Sequence, residues 1–196
     1  MKKLLNISYA ILICLFCTGT STAQNAKAEK KAEKTAELKR IVEGKNYVFK
    51  ANSANPTGNS SVQVSGSSMQ AGNLATMMGG GSVNLTGTYD LTLSNDTLTA
   101  FLPYYGVAYT APLNPTEGGI KFKTTKFDYK VTEKKNGNIE ISFKPLDLQQ
   151  RAPGDVQRMI MTVSAGGYAN LQITLLNRQP ISFTGTLEEV KPKPAS

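Results

Sequence analysis

The residues in this chain best suited to binding a ligand are tyrosines that lie close together. The stretch TAFLPYYGVAYTAPLN, residues 99–114, contains three of the chain's 8 Tyr and one of its 7 Phe. A Tyr ring joins an apolar face to a polar hydroxyl, so several of them can line the mouth of a ligand site. An Arg-Gln pair before a later proline could complete such a rim. The hypothesised ligand surface consists of Tyr104, Tyr105, Tyr109, Arg178 and Gln179.

The same stretch also fits a structural interpretation, which the sequence leaves open. Leu98, Ala100 and Leu102 alternate with more polar or outward positions, as in a half-buried strand. Pro103 cannot donate to a strand ladder, so the strand ends there or lies at an edge. The tyrosines would then plug the rim of a sheet, with their hydroxyls bonded to polar partners.

Several catalytic chemistries are excluded by residue types that the chain lacks. It contains 0 His, and its 2 Cys lie at positions 14 and 17. A Ser-His-Asp triad, a Cys nucleophile and imidazole or thiolate metal sites are therefore not expected in the mature protein. The glycines at 79–81 lack the Lys-Ser/Thr of a phosphate-binding loop. We expect a non-catalytic protein with no metal and no cofactor; a hydrolase based on two carboxylates is the third alternative for function.

The N-terminus has the pattern of a secretory signal. Two lysines precede an apolar run at 7–16, which is shorter than the roughly 20 residues of a membrane span. Small residues at 21–23 predict cleavage after Ala23, with residues 1–23 removed. The protein is then exported, to the periplasm or in association with the outer membrane. Lipidation at Cys14 or Cys17 is disfavoured because a bulky residue precedes each of them, and an uncleaved anchor is a further alternative.

The remaining chain is divided by composition into three parts. Residues 24–45 are rich in Lys, Glu and Ala, which predicts a charged helix or tether. Residues 46–187 are predicted to form a single antiparallel β domain, and residues 188–196 a disordered tail. The net charge of +8 is diffuse, so no nucleic-acid partner is expected. We also expect no transmembrane span in the mature chain, and a monomer.

Alternating strands and turn residues predict consecutive hairpins. Asn136-Gly137 is a strong hairpin signal between 127–132 and 139–143. Further hairpins are predicted at 89–102 and at 158–175, followed by a last strand at 181–184. The fold prediction is mainly β (α+β): an antiparallel meander of about nine strands, barrel-like or two-layered, with one N-terminal helix.

A polar region at 61–81 has a role that the sequence does not define. Its start, SVQVSG, nearly repeats the SVNLTG that begins at Ser82, which suggests a duplicated strand. Three Met lie between the two copies, and Met is a flexible gap-filler that also suits lax binding surfaces.

Several blocks resemble a known family. They are NYVFKANSANPTG at 46–58, TYDLTLSNDTL at 88–98, AFLPYYGVAYTAP at 100–112, GGIKF at 118–122 and NRQPISFTG at 177–185. These blocks resemble the exported bacterial proteins of the domain-of-unknown-function family numbered 4251. The resemblance implies export but no activity and no catalytic residues. Relative to that family, about twenty residues at 61–81 look inserted.

One shorter resemblance concerns modification. Asp96-Thr97-Leu98 is similar to a three-residue signal for O-glycosylation in exported proteins of such bacteria, with Thr97 as the acceptor. A plain hairpin turn explains the same residues.

The leading expectation for function is a non-catalytic, exported binding module of the bacterial cell envelope, with a glycan, lipid or peptide ligand. The alternative is a structural or protein-interaction subunit that uses the Lys/Glu-rich helix and the Met-rich insertion.

Overall fold

The computed structural model describes residues 20–56, 81–109, 119–148 and 156–190, with side chains described from residue 29 onward. Those ranges contain one helix and ten strands, one strand more than the approximate prediction. The elements are α1 (Thr20–Glu43), β1 (Asn46–Pro56), β2 (Val83–Asn84), β3 (Asp90–Ser94), β4 (Thr97–Leu102), β5 (Ile120–Thr124), β6 (Phe127–Glu133), β7 (Ile139–Pro145), β8 (Val156–Val163), β9 (Tyr168–Leu175) and β10 (Ile181–Glu189).

All strands belong to one antiparallel sheet that curls into a nearly closed barrel. The strand order is β5-β4-β3-β1-β10-β9-β8-β7-β6, and β2 pairs with the far end of β1. The first and last strands of this order, β5 and β6, are joined by only two residues, Thr125 and Lys126. This short connection brings the two edges of the sheet together at a seam. The mainly β prediction is confirmed, in its barrel-like form.

The predicted hairpins are confirmed, and their turns use the expected residues. Asn95, Gly137 and Gly167 have φ values of 53°, 81° and 80° in the turns after β3, β6 and β8. These are left-handed conformations, which Gly and Asn adopt most readily. The SVQVSG copy and the Met cluster lie outside the described residues.

The structure differs from the prediction in one additional strand and in one domain boundary. Residues 120–124 form strand β5, which was not predicted, because the alternating Lys121 and Lys123 and the adjacent glycines resemble a loop. Strand β10 continues to Glu189, two residues past the predicted domain end at 187, because it pairs with the start of β1. Residues 191–196 of the predicted tail lie outside the described ranges.

The core fills the barrel with every second residue of the long strands. Its largest fully buried side chains include Tyr47, Phe49, Phe143 and Phe183. Burying an aliphatic or aromatic side chain of this size contributes roughly 1.5–3 kcal/mol. This packing accounts for a stable domain without a disulfide between the strands.

The C-terminal half of α1 docks on the barrel through its apolar residues. Leu38 and Val42 are buried and Ile41 is half-buried. The left-handed residue that ends the helix is Lys45, with φ 48°, and not the preceding Gly44. Gly44 still donates its N–H to the Arg40 carbonyl at 3.0 Å, so the helical hydrogen bonding extends through it.

A buried hydroxyl chain anchors this helix end. The Tyr47 hydroxyl donates to the Tyr129 hydroxyl at 3.1 Å, and the Tyr129 hydroxyl donates to the Val42 carbonyl at 3.1 Å. Burial raises the pKa of both tyrosines, most strongly that of Tyr47, which is fully buried. The chain thus links β1, β6 and the last turn of α1.

The seam between β5 and β6 is fixed by a buried polar residue. The Thr124 side chain is buried and donates its hydroxyl proton to the Asp147 carboxylate at 2.7 Å. The same oxygen accepts the Lys126 N–H at 2.9 Å. These bonds hold the turn that closes the barrel.

Candidate functional site

The structure brings the start of the Tyr-rich stretch against the Arg-Gln pair. The Ala108 and Arg178 main chains form an isolated antiparallel bridge. On its two sides, the Tyr109 N–H donates to the Asn177 carbonyl at 2.8 Å and the Gln179 N–H donates to the Val107 carbonyl at 3.0 Å. Residues 107–109 are therefore held on residues 177–179 at the rim of the barrel.

The Tyr104 side chain stabilises this contact between the two segments. Its hydroxyl lies 3.0 Å from both the Val107 carbonyl and the Gln179 carbonyl, and its single proton is shared between these two acceptors. The ring lies over Gly106, where a Cβ would come within 2.7 Å of the hydroxyl oxygen. A glycine is therefore needed at 106 for the tyrosine to fold back on its own chain. Tyr104 is half-buried.

Arg178 covers the Tyr104 ring. Its guanidinium carbon lies 4.6 Å from the ring centre, within the range of a cation–π contact. One of its nitrogens donates to the Gly119 carbonyl at 3.2 Å. The arginine thus links the start of β5 to the rim. Arg178 and Gln179 therefore both have a structural role.

Tyr105 lies next to a pair of stacked aromatic rings on the outer surface. The Tyr89 and Phe101 rings stack with centres 5.8 Å apart and planes 14° from parallel. The pKa of Tyr105 is raised, first by partial burial and second by the electrostatic interaction with Tyr89. The Lys121 ammonium lies 4.9 Å from the Phe101 ring centre. We call Tyr89, Phe101 and Lys121 the aromatic ledge.

The ledge exposes aromatic surface that was not predicted as a site. Phe101 is 43% exposed because it occupies an outward position of β4, opposite Asp90 on β3 and Lys121 on β5. The outward direction of Phe101 follows from strand alternation, so the sequence does carry that signal. Tyr89 precedes its strand, and its pairing with Phe101 depends on a register that alternation does not define.

The Tyr109 side chain is more exposed than those of Tyr104 and Tyr105. Its main chain is paired with residue 177, while its side chain is 66% exposed. The five residues of the hypothesised ligand surface therefore have different structural roles. Tyr104 and Arg178 form a structural lock, Gln179 contributes main-chain bonds, Tyr105 borders the ledge, and the Tyr109 ring faces solvent.

Thr97 lies at the first position of β4, directly after the turn at 95–96. It pairs with Ser94 across the hairpin and is half-buried. The turn itself is exposed.

The described part of the chain has no cluster of residues typical of a metal site. No group of three or more Asp or Glu residues in it could hold a metal ion. Several carboxylates are engaged in ion pairs: Glu133 with Lys39, Glu188 with Lys50, Glu189 with Arg40 and Glu140 with Lys134. Within the same ranges, no helix has the length and hydropathy needed to cross a membrane.

Comparison with known proteins gives a family and no activity. No curated protein matches the chain. A crystal structure at 1.95 Å resolution of a DUF4251 family protein from Bacteroides eggerthii DSM 20697 is similar, with 16% sequence identity and a TM-score of 0.48. The match covers 81% of this chain and 89% of that one. The family described as "Domain of unknown function (DUF4251)" matches residues 29–187, and the chain therefore belongs to the DUF4251 family.

Proposed function

We propose that this protein is a non-catalytic binding module exported to the bacterial cell envelope, periplasmic or associated with the outer membrane, and that it binds its ligand on the aromatic ledge. The observation that carries the proposal is the stacked Tyr89–Phe101 pair, in which Phe101 remains 43% exposed. Clusters of exposed aromatic surface on soluble domains mark interaction sites more often than isolated apolar residues do.

Two features of the ledge favour a role in binding: the contact area of its aromatic rings and their fixed orientation. Aromatic side chains provide much contact area and lose little conformational freedom, so they dominate the energy of many interfaces. Tyr89 and Phe101 restrict each other by stacking, and Lys121 lies over the second ring. The rings are thus oriented before a ligand arrives, which reduces the entropy lost on binding.

The rigid rim beside the ledge supports the same assignment. The Tyr104–Arg178 lock fixes the chain on which Tyr105 is carried, and the exposed Tyr109 follows four residues later. In this proposal, the hypothesised residues act in two ways: Tyr105 and Tyr109 face the ligand, while Tyr104, Arg178 and Gln179 hold the rim. The ligand class stays a glycan, a lipid or a peptide.

The test is a binding screen with a matched pair of variants. Purified protein is applied to an array of bacterial envelope glycans, to phosphatidylethanolamine–phosphatidylglycerol vesicles and to a library of envelope peptides. Phe101→Ala should weaken the strongest interaction by about tenfold or more, the size of a binding hot spot. Val131→Ala is the control because Val131 is similarly exposed, at 40%, on β6. Equal binding by the two variants would remove the ledge from the proposal.

Export has its own test. Expression with the full N-terminus in a Gram-negative host should give an envelope fraction whose protein begins at Gln24. A cytoplasmic protein that keeps Met1 would contradict the export part of the proposal. Peptide mass mapping of the same material would show whether Thr97 carries a glycan.

The structural-subunit alternative is less supported by the described residues. In α1, residues 29–34 are exposed and mostly charged, and the apolar Leu38 and Val42 are already buried against the barrel. The Met-rich part of that alternative lies outside the described residues.

A further inference from the structure

The outer face of the barrel has a groove on the side formed by β8, β9, β10 and β1. Its volume is about 440 Å³. It shares no residue with the aromatic ledge or with the Tyr104–Arg178 lock. The groove is lined by Asn52, Asn138, Thr162, Ser164, Tyr168, Ala169, Asn170, Thr184 and Gly185.

The chemistry of the lining is uniform. Every lining residue is uncharged, in a chain with 22 basic and 14 acidic residues. The polar side chains are amides and hydroxyls, which both donate and accept hydrogen bonds. A charged ligand would leave water without gaining an opposite charge in this groove, which is unfavourable. The groove is therefore suited to a neutral, polar ligand.

Strand register arranges these side chains in a row. Asn170 on β9 lies directly opposite Thr162 on β8 and Thr184 on β10, so the three point outward from adjacent strands. Neighbouring strands are about 4.8 Å apart, so the row is about 10 Å long. Among the described residues, the side chains of Thr162 and Asn170 have no hydrogen-bond partner, and that of Asn52 at the β1 bulge likewise has none. The Thr184 hydroxyl is hydrogen-bonded to the Ser53 hydroxyl and can accept a further bond from a ligand.

Tyr168 supplies an aromatic surface at one end of the row. Its side chain is 73% exposed, the most of any large hydrophobic residue described. Its main chain is fixed, because its carbonyl accepts the Ser164 N–H at 2.9 Å and the Ser164 hydroxyl at 3.2 Å. The ring lies beside Gly166, where a Cβ would be 3.4 Å from it. The ring thus borders the groove, and most of it meets solvent.

The form of the groove favours a sugar over a peptide. Extended peptides commonly bind by adding a strand to a free sheet edge. Each of the strands β8, β9, β10 and β1 is paired on both sides, so this part of the sheet offers no free edge. A pyranose ring has an apolar C–H face and a rim of neutral hydroxyls. Those two features match an exposed Tyr ring beside a row of amides and hydroxyls.

We propose that this groove binds a neutral oligosaccharide. One sugar unit stacks on the Tyr168 ring, and the hydroxyls of the adjoining unit bond to Asn170, Thr162 and Thr184. This site is separate from the ledge and does not depend on the proposed function: it could bind a glycan whether or not the ledge binds its own ligand.

The test is an NMR titration of the purified protein with maltotriose, cellotriose and mannotriose as neutral probes. Trigalacturonate is the acidic comparison and a Ser/Thr/Gly tripeptide the peptide comparison. We expect saturable shifts at residues 168–170 and 184 with at least one neutral probe, little change with added salt, and weaker shifts with both comparisons. Tyr168→Ala should lower the affinity about tenfold, while Tyr168→Phe, which keeps the ring, should retain most of it.

An exposed side chain outside both proposed sites provides the control. Leu146 is 54% exposed and does not line the groove, so Leu146→Ala should bind the neutral probe as the unchanged protein does. No saturable shift with any neutral probe would overturn the proposal. A preference for trigalacturonate or for the tripeptide would do the same, as would an equal loss of affinity in the Tyr168→Ala and Leu146→Ala variants. Loss of ledge binding in Phe101→Ala, with oligosaccharide binding intact, would show that the two sites act independently.

Discussion

The guanidinium carbon of Arg178 lies 4.6 Å from the centre of the Tyr104 ring, and the hydroxyl of that ring lies 3.0 Å from the carbonyl of the next residue, Gln179. One tyrosine therefore contacts the 178–179 segment through both its face and its hydroxyl. This relationship joins two parts of the chain that are more than seventy positions apart. It makes the lock a stability element that can be tested apart from any ligand.

Tyr104→Phe should reduce the free energy of unfolding by about 1 kcal/mol, because the variant loses the hydroxyl that donates to two carbonyls. Tyr109→Phe is the matched control, since its side chain is 66% exposed and should change stability by less than about 0.5 kcal/mol. Urea unfolding followed by circular dichroism measures both. If the two variants were equally stable, the hydroxyl of Tyr104 would not be holding the rim.

Tyr129→Phe should cost more, about 1–3 kcal/mol, because it leaves the buried Tyr47 hydroxyl without its partner and removes one of the two donors to the Val42 carbonyl, which keeps the Lys45 N–H. Removing Tyr47's hydroxyl as well should cost less than the sum of the two single changes, since neither hydroxyl is then left unpaired. A double-mutant cycle measured by urea unfolding gives the coupling. Tyr168→Phe, at an exposed position, is the control. Strict additivity would rule out the hydroxyl chain as an anchor of α1.

The hairpins could be predicted from the sequence because their signals are local. Asn136-Gly137 and Ser94-Asn95-Asp96 provide turn residues, and the flanking strands alternate between apolar and polar positions. Strand β5 was missed since it lacks such a turn on either side and has lysines at its outward positions. Lysines of this kind are common on edge strands, where they discourage pairing with another sheet.

The site could be predicted only in part, for a related reason. The composition of the Tyr-rich stretch and of the NRQP block led to the hypothesis that they meet, and the structure does place Tyr104 on Arg178. The stacking of Tyr89 on Phe101, and the row of Asn170 with Thr162 and Thr184, depend on register between strands that are distant in sequence. Alternation gives the side of a strand on which a residue lies, but not its neighbour on the next strand.

The free energy of unfolding should fall in alkaline solution because of Tyr47 and Tyr129. Both have pKa values raised above the ordinary 10.0 by burial. Below about pH 10 the phenols are neutral in the folded and the unfolded chain, so their contribution is complete. At higher pH the unfolded chain loses these protons while the folded chain keeps them, and the free energy of unfolding falls by up to about 1.4 kcal/mol per pH unit for each tyrosine.

Tyr47→Phe provides the control for this pH dependence, because lysines also titrate in the same range. Urea unfolding between about pH 9 and about pH 11 should show a smaller slope for the variant than for the unchanged protein. Identical slopes would mean that the buried Tyr47 is not the source of the alkaline loss.

Gly185→Ala should be the most damaging small substitution among these predictions. A Cβ at position 185 would overlap the Lys50 carbonyl oxygen and lie 3.0 Å from the Phe49 ring, where β1 pairs with β10 beside the bulge between Ala51 and Ser53. Because the nearest atoms belong to the main chain, relief requires a shift of the strand and not of a side chain. We expect a loss of about 3 kcal/mol or more in the free energy of unfolding.

Gly166→Ala is the matched control for this last prediction. There the nearest atoms are those of the Tyr168 ring at 3.4 Å, an ordinary contact with a side chain that can move. Both substitutions reduce the entropy of the unfolded chain equally, so that term cancels in the comparison. Thermal and urea unfolding should place Gly166→Ala within about 0.5 kcal/mol of the unchanged protein. A Gly185→Ala protein of similar stability would show that β1 and β10 can separate at the bulge without cost.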